Sequence, residues 1–261
     1  RVVSLLYVMF LVGMAVSALI VGGLLADFSK LRLIQVVQGT AVVTIVLNLI
    51  ALWKQERMRP STAAERAAPR PSFHDAWRDY AAGGKAGRLL AVVALGTLAF
   101  SMQDVLLEPY GGEILGLSVA ATTILTAMWA VGALVGFGLA ARWLSRGLPP
   151  ERMAARGVMF GIAAFSLVIF AEPMGLAALY FAGATGIGLG AGLFAVATLT
   201  AAMNMPARGI AGRGLALGAW GAAQATAAGL GIALGGGLRD IVDQAATSGR
   251  LGEVLNAPST G

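Results

Sequence analysis

The residues best placed to do chemistry lie in the run Met102-Gln-Asp-Val-Leu-Leu-Glu-Pro-Tyr-Gly-Gly-Glu113. Asp104 and Glu108 are four apart, so on a helix both carboxylates project from one face. In an apolar setting two such groups repel unless a cation, a shared proton or a hydrogen-bonding partner intervenes. Two readings stand: a proton or ligand site, or a water-exposed helix end closed by Pro109 and a turn at Tyr110-Gly111-Gly112. Gln103 offers an amide donor or a weak oxygen ligand. Gln224 follows Trp220 by one helical turn and lies about 15 Å into a long apolar run by the helical rise. It is either a binding-site residue or interhelical hydrogen-bond glue. Asn48 reads as glue, and Glu172-Pro173 as a turn.

Several other chemistries are excluded. Cysteine is absent, which removes disulfides, iron-sulfur clusters and thiol nucleophiles. The single histidine, His74, permits neither a His-rich metal site nor a Ser-His-Asp triad in the membrane, and reads as a solvated residue rather than a metal ligand. The run Gly183-Ala-Thr-Gly-Ile-Gly-Leu-Gly-Ala-Gly192 lacks the dinucleotide-binding spacing and a following phosphate-loop lysine. The pairs Gly132/Gly136, Gly186/Gly190, Gly188/Gly192, Gly214/Gly218 and Gly231/Gly235 instead have the four-residue spacing that lets helix backbones approach in lipid. No nucleotide, nucleic-acid or metal-ion site is expected.

The elements that position these residues follow from composition. Of 261 residues, 57% are hydrophobic and only 12% charged, against roughly 25% charged in soluble domains. The apolar residues fall in long runs with no two-residue alternation, so the predicted class is an all-α membrane protein rather than a soluble fold or a membrane barrel. Seven spans are predicted: Val2 to Leu25, Leu33 to Trp53, Leu89 to Leu107, Ser118 to Ala141, Gly157 to Ala171, Met174 to Met203 and Gly214 to Leu238. The fifth is short for a bilayer that takes about 20 helical residues to cross. Arg1, eight residues between Lys54 and Arg88, four between Arg142 and Arg156, and Arg208 and Arg213 make fifteen of the 19 Lys and Arg on one side. That bias puts the segment 54–88 in the cytoplasm and 239–261 in the periplasm. Within 54–88, a Pro-rich linker precedes Ser72, whose spacing to Asp75 resembles a capping box, and Phe73, Trp77 and Tyr80 share one helical face. This predicts an amphipathic helix lying at the membrane interface.

The first apolar run is too long for a signal peptide. The chain also starts without Met, ends in a polar stretch and has an odd number of spans. Two spans (1–53), a linker with a surface helix (54–88) and five spans (89–238) are what a cut through a 6+6 transporter fold yields.

The stretch Phe100-Ser-Met-Gln-Asp-Val-Leu-Leu-Glu-Pro-Tyr-Gly-Gly-Glu-Ile-Leu-Gly-Leu-Ser118, with Thr122-Thr-Ile-Leu-Thr-Ala-Met-Trp129, closely resembles the PucC/LhaA proteins of phototrophic purple bacteria. Leu24-Leu-Ala-Asp-Phe28, Leu33-Ile-Gln-Val-Val-Gln-Gly39 and Val46-Leu-Asn-Leu-Ile-Ala-Leu-Trp-Lys-Gln-Glu56 are similar to the same family. The resemblance implies a major-facilitator-type helical bundle of twelve spans, of which this chain would hold the fifth to the eleventh. It implies a non-enzymatic role in building light-harvesting antenna complexes in the bacterial inner, intracytoplasmic membrane. Implied partners are antenna polypeptides, a reaction centre-antenna complex and pigment-synthesis enzymes, with bacteriochlorophyll as the bound group. Gln103, Asp104, Glu108 and Gln224 would supply oxygen ligands or hydrogen bonds, with Tyr110 and Trp220 beside them. A secondary transporter of a tetrapyrrole or other small molecule and a permanent structural subunit are the alternatives. Gly136-Phe-Gly-Leu-Ala-Ala-Arg142 departs from the facilitator Gly-x-x-x-Asp-Arg pattern, which argues against ordinary alternating access.

Overall fold

The computed structural model describes residues 29–53, 72–82, 84–205 and 212–248, with isolated helical positions between Met9 and Leu24. Among the described residues six helices are long and apolar enough to cross a membrane, and the chain is an all-α membrane protein. The predicted first span and the linker over 54–71 fall largely or wholly outside the described residues. The chain divides into two compact units, 5–70 and a second holding 71–261.

In the first unit, α1 (Lys30–Leu52) begins at Ser29, whose hydroxyl accepts the Arg32 amide at 3.1 Å and so satisfies an N–H left over at the helix start. Thr40, Thr44 and Asn48 recur every fourth residue. Each donates to a carbonyl one turn back, Asn48 Nδ2 to Thr44 O at 2.8 Å. Asn48 thus spends one amide N–H on its own helix, and the span it was expected to bond lies largely outside the described residues.

The second unit opens with α2 (Phe73–Ala82). The N-cap half of the predicted capping box forms, with the Asp75 amide donating to Ser72 Oγ at 3.1 Å, while the Asp75 carboxylate accepts the Ser72 hydroxyl at 2.6 Å. Gly84, at φ +66°, turns the chain directly into α3 (Lys85–Pro109). There is no tight turn at Tyr110. The helix widens into a π segment over Tyr110–Ile114, closed by Leu115 N–H to Tyr110 O at 3.1 Å. The proline only removes one N–H and leaves the following residues helical, so the expected stop does not occur.

Next come α4 (Val119–Ser145), α5 (Pro150–Ala171), α6 (Ala177–Met203) and α7 (Gly212–Thr247). The fifth predicted span begins seven residues earlier than read, since Arg152 and Arg156 lie within α5. A charge near a helix end does not stop a helix, and Arg156 is held 5.3 Å from the Trp143 ring centroid. The last helix also passes the predicted boundary at Leu238 to reach Thr247, so much of 239–248 is helix.

α6 lies along its sequence neighbour α5 and also along α4, while α3 lies along the distant α7. Register gives the directions. A Cβ built on Gly136 would stand 2.5 Å from Leu189 O, one on Gly192 2.6 Å from Ala133 O, and Gly132 and Gly188 press on Thr185 O and Trp129 O. Residue numbers rise together, so α4 and α6 are parallel. Gly231 faces Leu98 and Gly235 faces Met102, so α3 and α7 are parallel as well. Gly157 faces Gly190 and Gly183 faces Ala164, which makes α5 and α6 antiparallel. Three of the five predicted glycine pairs thus sit wholly at close approaches to a facing backbone, and in the Gly186/Gly190 pair Gly190 meets Gly157 O while Gly186 meets the Ala164 Cβ. The fifth makes no such contact: nothing lies within 4 Å of a Cβ on Gly214 or Gly218.

The core lies along α6, where Tyr180, Ala184, Ile187, Leu193 and Ala197 are fully enclosed. Threonine hydroxyls along α6 bond back to their own helix, Thr198 to Phe194 O at 2.9 Å and Thr200 to Val196 O at 2.7 Å.

Candidate functional site

The C-terminal end of α3 and the π segment that continues it bring Gln103, Asp104, Glu108 and Tyr110 onto one continuous helix without making them one site. Gln103 is 7% exposed, and its amide donates to the neighbouring Asp104 carboxylate. Glu108 is exposed and accepts from Thr126 Oγ1 of α4 at 3.4 Å. The two carboxylates therefore have separate partners, and the arrangement does not need a shared cation. Tyr110 turns toward α5 and donates to Val168 O at 3.2 Å. Its ring lies 5.9 Å from that of Tyr180, whose buried hydroxyl donates to Leu107 O at 2.6 Å. Tyr180 also fills the space over Gly111, where a Cβ would stand 2.5 Å from the hydroxyl. Tyr110 thus braces the π segment against α5 and α6.

Two residues missed from the sequence complete this end. Glu113 on the π segment takes two hydrogen bonds from Arg239 of α7, both at 2.9 Å. They are 126 positions apart, and no local spacing signals the pair. Trp220 and Gln224 sit together on α7, well away in sequence from that end. The Trp220 indole N–H is enclosed without a hydrogen-bond partner among the described residues, and Gln224 is half-buried. The structure does not bring these two into one site with the α3 carboxylates.

A large apolar concavity lies elsewhere. α3 and α7 meet closely at Gly231 and Gly235 and leave a groove of 750 Å³ toward their N-terminal ends, walled by α2. Its floor is the small-residue face of α7, with Gly214, Gly218 and Ala222, and its far wall includes Leu90 and Leu98 of α3. Phe73 and Trp77 form the third wall. Their rings stack at 6.3 Å with 20° between planes, and Trp77 lies 5.9 Å from Tyr80. The aromatic face predicted for α2 is therefore present, and part of it lines a groove within the protein. Burial raises the Tyr80 phenol above the usual tyrosine range. His74, on the same helix, is 82% exposed in its side chain and 4.0 Å from Asp75.

A groove with an aromatic wall, a small-residue floor and few polar groups selects flat apolar ligands. Thr226 and the Trp77 indole are the polar side chains that line it. The sequence signals were present as Gly214/Gly218 and the Phe73/Trp77 spacing, but each was assigned to a different job.

No solved structure matches this chain. It is 60% identical over its whole length to an uncharacterized protein of the puhA-bchM intergenic region of Rhodobacter capsulatus. It is also 52% identical, over 93% of its length, to protein PucC of Rhodovulum sulfidophilum. A bacteriochlorophyll synthase 44.5 kDa chain from Rhodobacter capsulatus is 30% identical over 92% of the chain. The chain spans about half the length of the curated relatives it matches, 54% and 53% of the first two. The family model described as PUCC protein matches residues 1–256, and with these identities the chain belongs to the PucC family.

Proposed function

We propose that the protein is a non-enzymatic assembly factor for bacterial light-harvesting antenna complexes, and that it holds bacteriochlorophyll in the groove between α2, α3 and α7. The observation that carries this reading is the groove itself. Phe73 and Trp77 offer π faces to a flat macrocycle, and the open positions at Gly214 and Gly218 let it approach the α7 backbone. Bacteriochlorophyll supplies the light-absorbing ring, and the chain's part is to bind and orient it and to keep water away. In this reading the protein resides in the inner, intracytoplasmic membrane with the basic segment 54–88 in the cytoplasm. It hands pigment to antenna polypeptides near a reaction centre-antenna complex, with pigment-synthesis enzymes as the source. A major-facilitator-type bundle of two related halves accommodates the pairing of α3 with α7 and of α4 with α6.

Purification in mild detergent from a pigment-producing host, followed by absorption spectroscopy, tests the reading. Bacteriochlorophyll co-purifying near one equivalent, and lost when Trp77→Ala and Gly218→Leu are combined, is expected. A colourless protein, or pigment retained by the double variant, would sink it.

The exposed carboxylates of Asp104 and Glu108 favour a second reading, a proton-coupled secondary transporter of a tetrapyrrole or other small molecule. It requires pH-dependent uptake into vesicles that disappears in Asp104→Asn. A permanent structural subunit is separated from an assembly factor by abundance, since the subunit stays at fixed stoichiometry in mature antenna particles.

A further inference from the structure

A second cavity, of 650 Å³, opens where α3 and α5 begin and α6 ends. Its chemistry is divided. The floor is apolar, formed by Leu89, Val92, Val158, Phe194 and Ala197, and Thr198 adds no free hydroxyl because it donates to Phe194 O at 2.9 Å. The mouth carries Lys85 and Arg88, one turn apart on α3, with Glu151 of α5 and Asn204 beyond the end of α6. Among the described residues neither Lys85 nor Arg88 is in an ion pair, with Glu151 or with any other carboxylate. Two cations and one carboxylate leave one net positive charge at the rim of an apolar slot. Both helices that start there lack a side-chain cap, α3 at Gly84 and α5 at Pro149, so their first-turn amides add positive potential.

A free hydrated anion would match the rim and leave the floor unfilled, and a purely apolar ligand would leave Lys85 and Arg88 unanswered. The ligand that satisfies both is an amphiphile with an anionic head. We propose that this cavity seats an anionic phospholipid, its phosphodiester at Lys85 and Arg88 and one acyl chain along the floor. The single negative charge of a phosphodiester equals the net charge of the rim. Arg88 supplies a planar donor fork for phosphate oxygens and Lys85 a mobile point charge. The site is separate from the groove under α2, so its occupancy does not depend on the pigment reading.

Native mass spectrometry of the full chain, extracted from nanodiscs of phosphatidylglycerol mixed with phosphatidylcholine, tests the assignment. Phosphatidylglycerol is expected to be retained at least tenfold over phosphatidylcholine. That preference is expected to vanish in Lys85→Gln/Arg88→Gln and to survive Arg146→Gln, which removes a cation outside the cavity. Adding inorganic phosphate should leave the lipid in place. Equal retention of the two lipids, preference for phosphatidylcholine, displacement by phosphate alone, or unchanged retention in the double variant would each overturn it. Should the double variant fail to insert, Ala155→Trp narrows the cavity without touching its charges. The same loss of lipid is then expected, and full retention refutes the proposal.

Discussion

Tyr180 of α6 donates its buried hydroxyl to the carbonyl of Leu107 in the last turn of α3, at 2.6 Å across 73 positions of sequence. The bond falls where α3 gives way to the π segment and the Tyr110 N–H is shared between the Leu106 and Leu107 carbonyls, so the hydroxyl completes the bonding of Leu107 O in an apolar core. Tyr180→Phe keeps the ring and removes the inter-helix donor, leaving that carbonyl only its share of the Tyr110 N–H. A loss of about 0.5–1.5 kcal/mol is expected, seen as a fall in melting temperature in detergent followed by circular dichroism. An unchanged melt would show that the bond contributes nothing.

Backbone contact between α4 and α6 leaves no room for a side chain at Gly188, whereas Gly138 on the open face of α4 has nothing within 4 Å of its Cβ position. Gly188→Leu is expected to prevent folding or to cost more than about 3 kcal/mol through overpacking. Gly138→Ala should be neutral or stabilising by up to about 1 kcal/mol. Similar melts for the two variants would contradict the parallel α4–α6 contact.

Ser72 closes α2 by accepting the Asp75 amide. Ser72→Ala should cost about 1 kcal/mol of local helix stability, read as roughly fivefold faster amide exchange over 73–77 with exchange in α6 unchanged. If exchange in α2 stays slow, packing of Phe73 and Trp77 rather than the cap holds the helix.

Because Gly218 faces open space, Gly218→Phe fills the groove without displacing a neighbour. Pigment co-purification should fall at least tenfold while the melting temperature changes by no more than a few degrees. A parallel loss of stability would mean that the position is packed.

Arg239 and Glu113 are both partly exposed, with side chains 38% and 68% accessible. Solvent screening limits such a pair to about 0.2–1 kcal/mol. A double-mutant cycle with Arg239→Gln and Glu113→Gln should return a coupling in that range and vanish at high salt. A much larger coupling would place the pair in a drier setting than its exposure indicates.

Six of the predicted spans coincide with described helices because about 20 apolar residues in a row are legible one residue at a time. Charge misled the reading at α5, where Arg152 and Arg156 lie inside the helix. Proline and glycine misled it at Tyr110, where the chain stays helical. The candidate site was legible only in pieces. Asp104 and Glu108 share a helix face as their spacing requires, yet their partners, Gln103 and Thr126, come one from the adjacent residue and one from another helix. The Phe73/Trp77 face was visible, but its position over Gly214 and Gly218 was not.

The sequence alone determined the class of the protein, where its spans lie and the family to which it belongs, because bilayer thickness and dehydration act on each segment separately. Which glycines are contacts and which line a groove was decided only by the tertiary structure. In lipid, an apolar face looks the same whether it meets a neighbouring helix or an acyl chain, so hydrophobic pattern carries no record of the partner. Gly214 and Gly188 have the same spacing signal. Only the placement of α3, α4 and α7 makes one of them a floor and the other a seam.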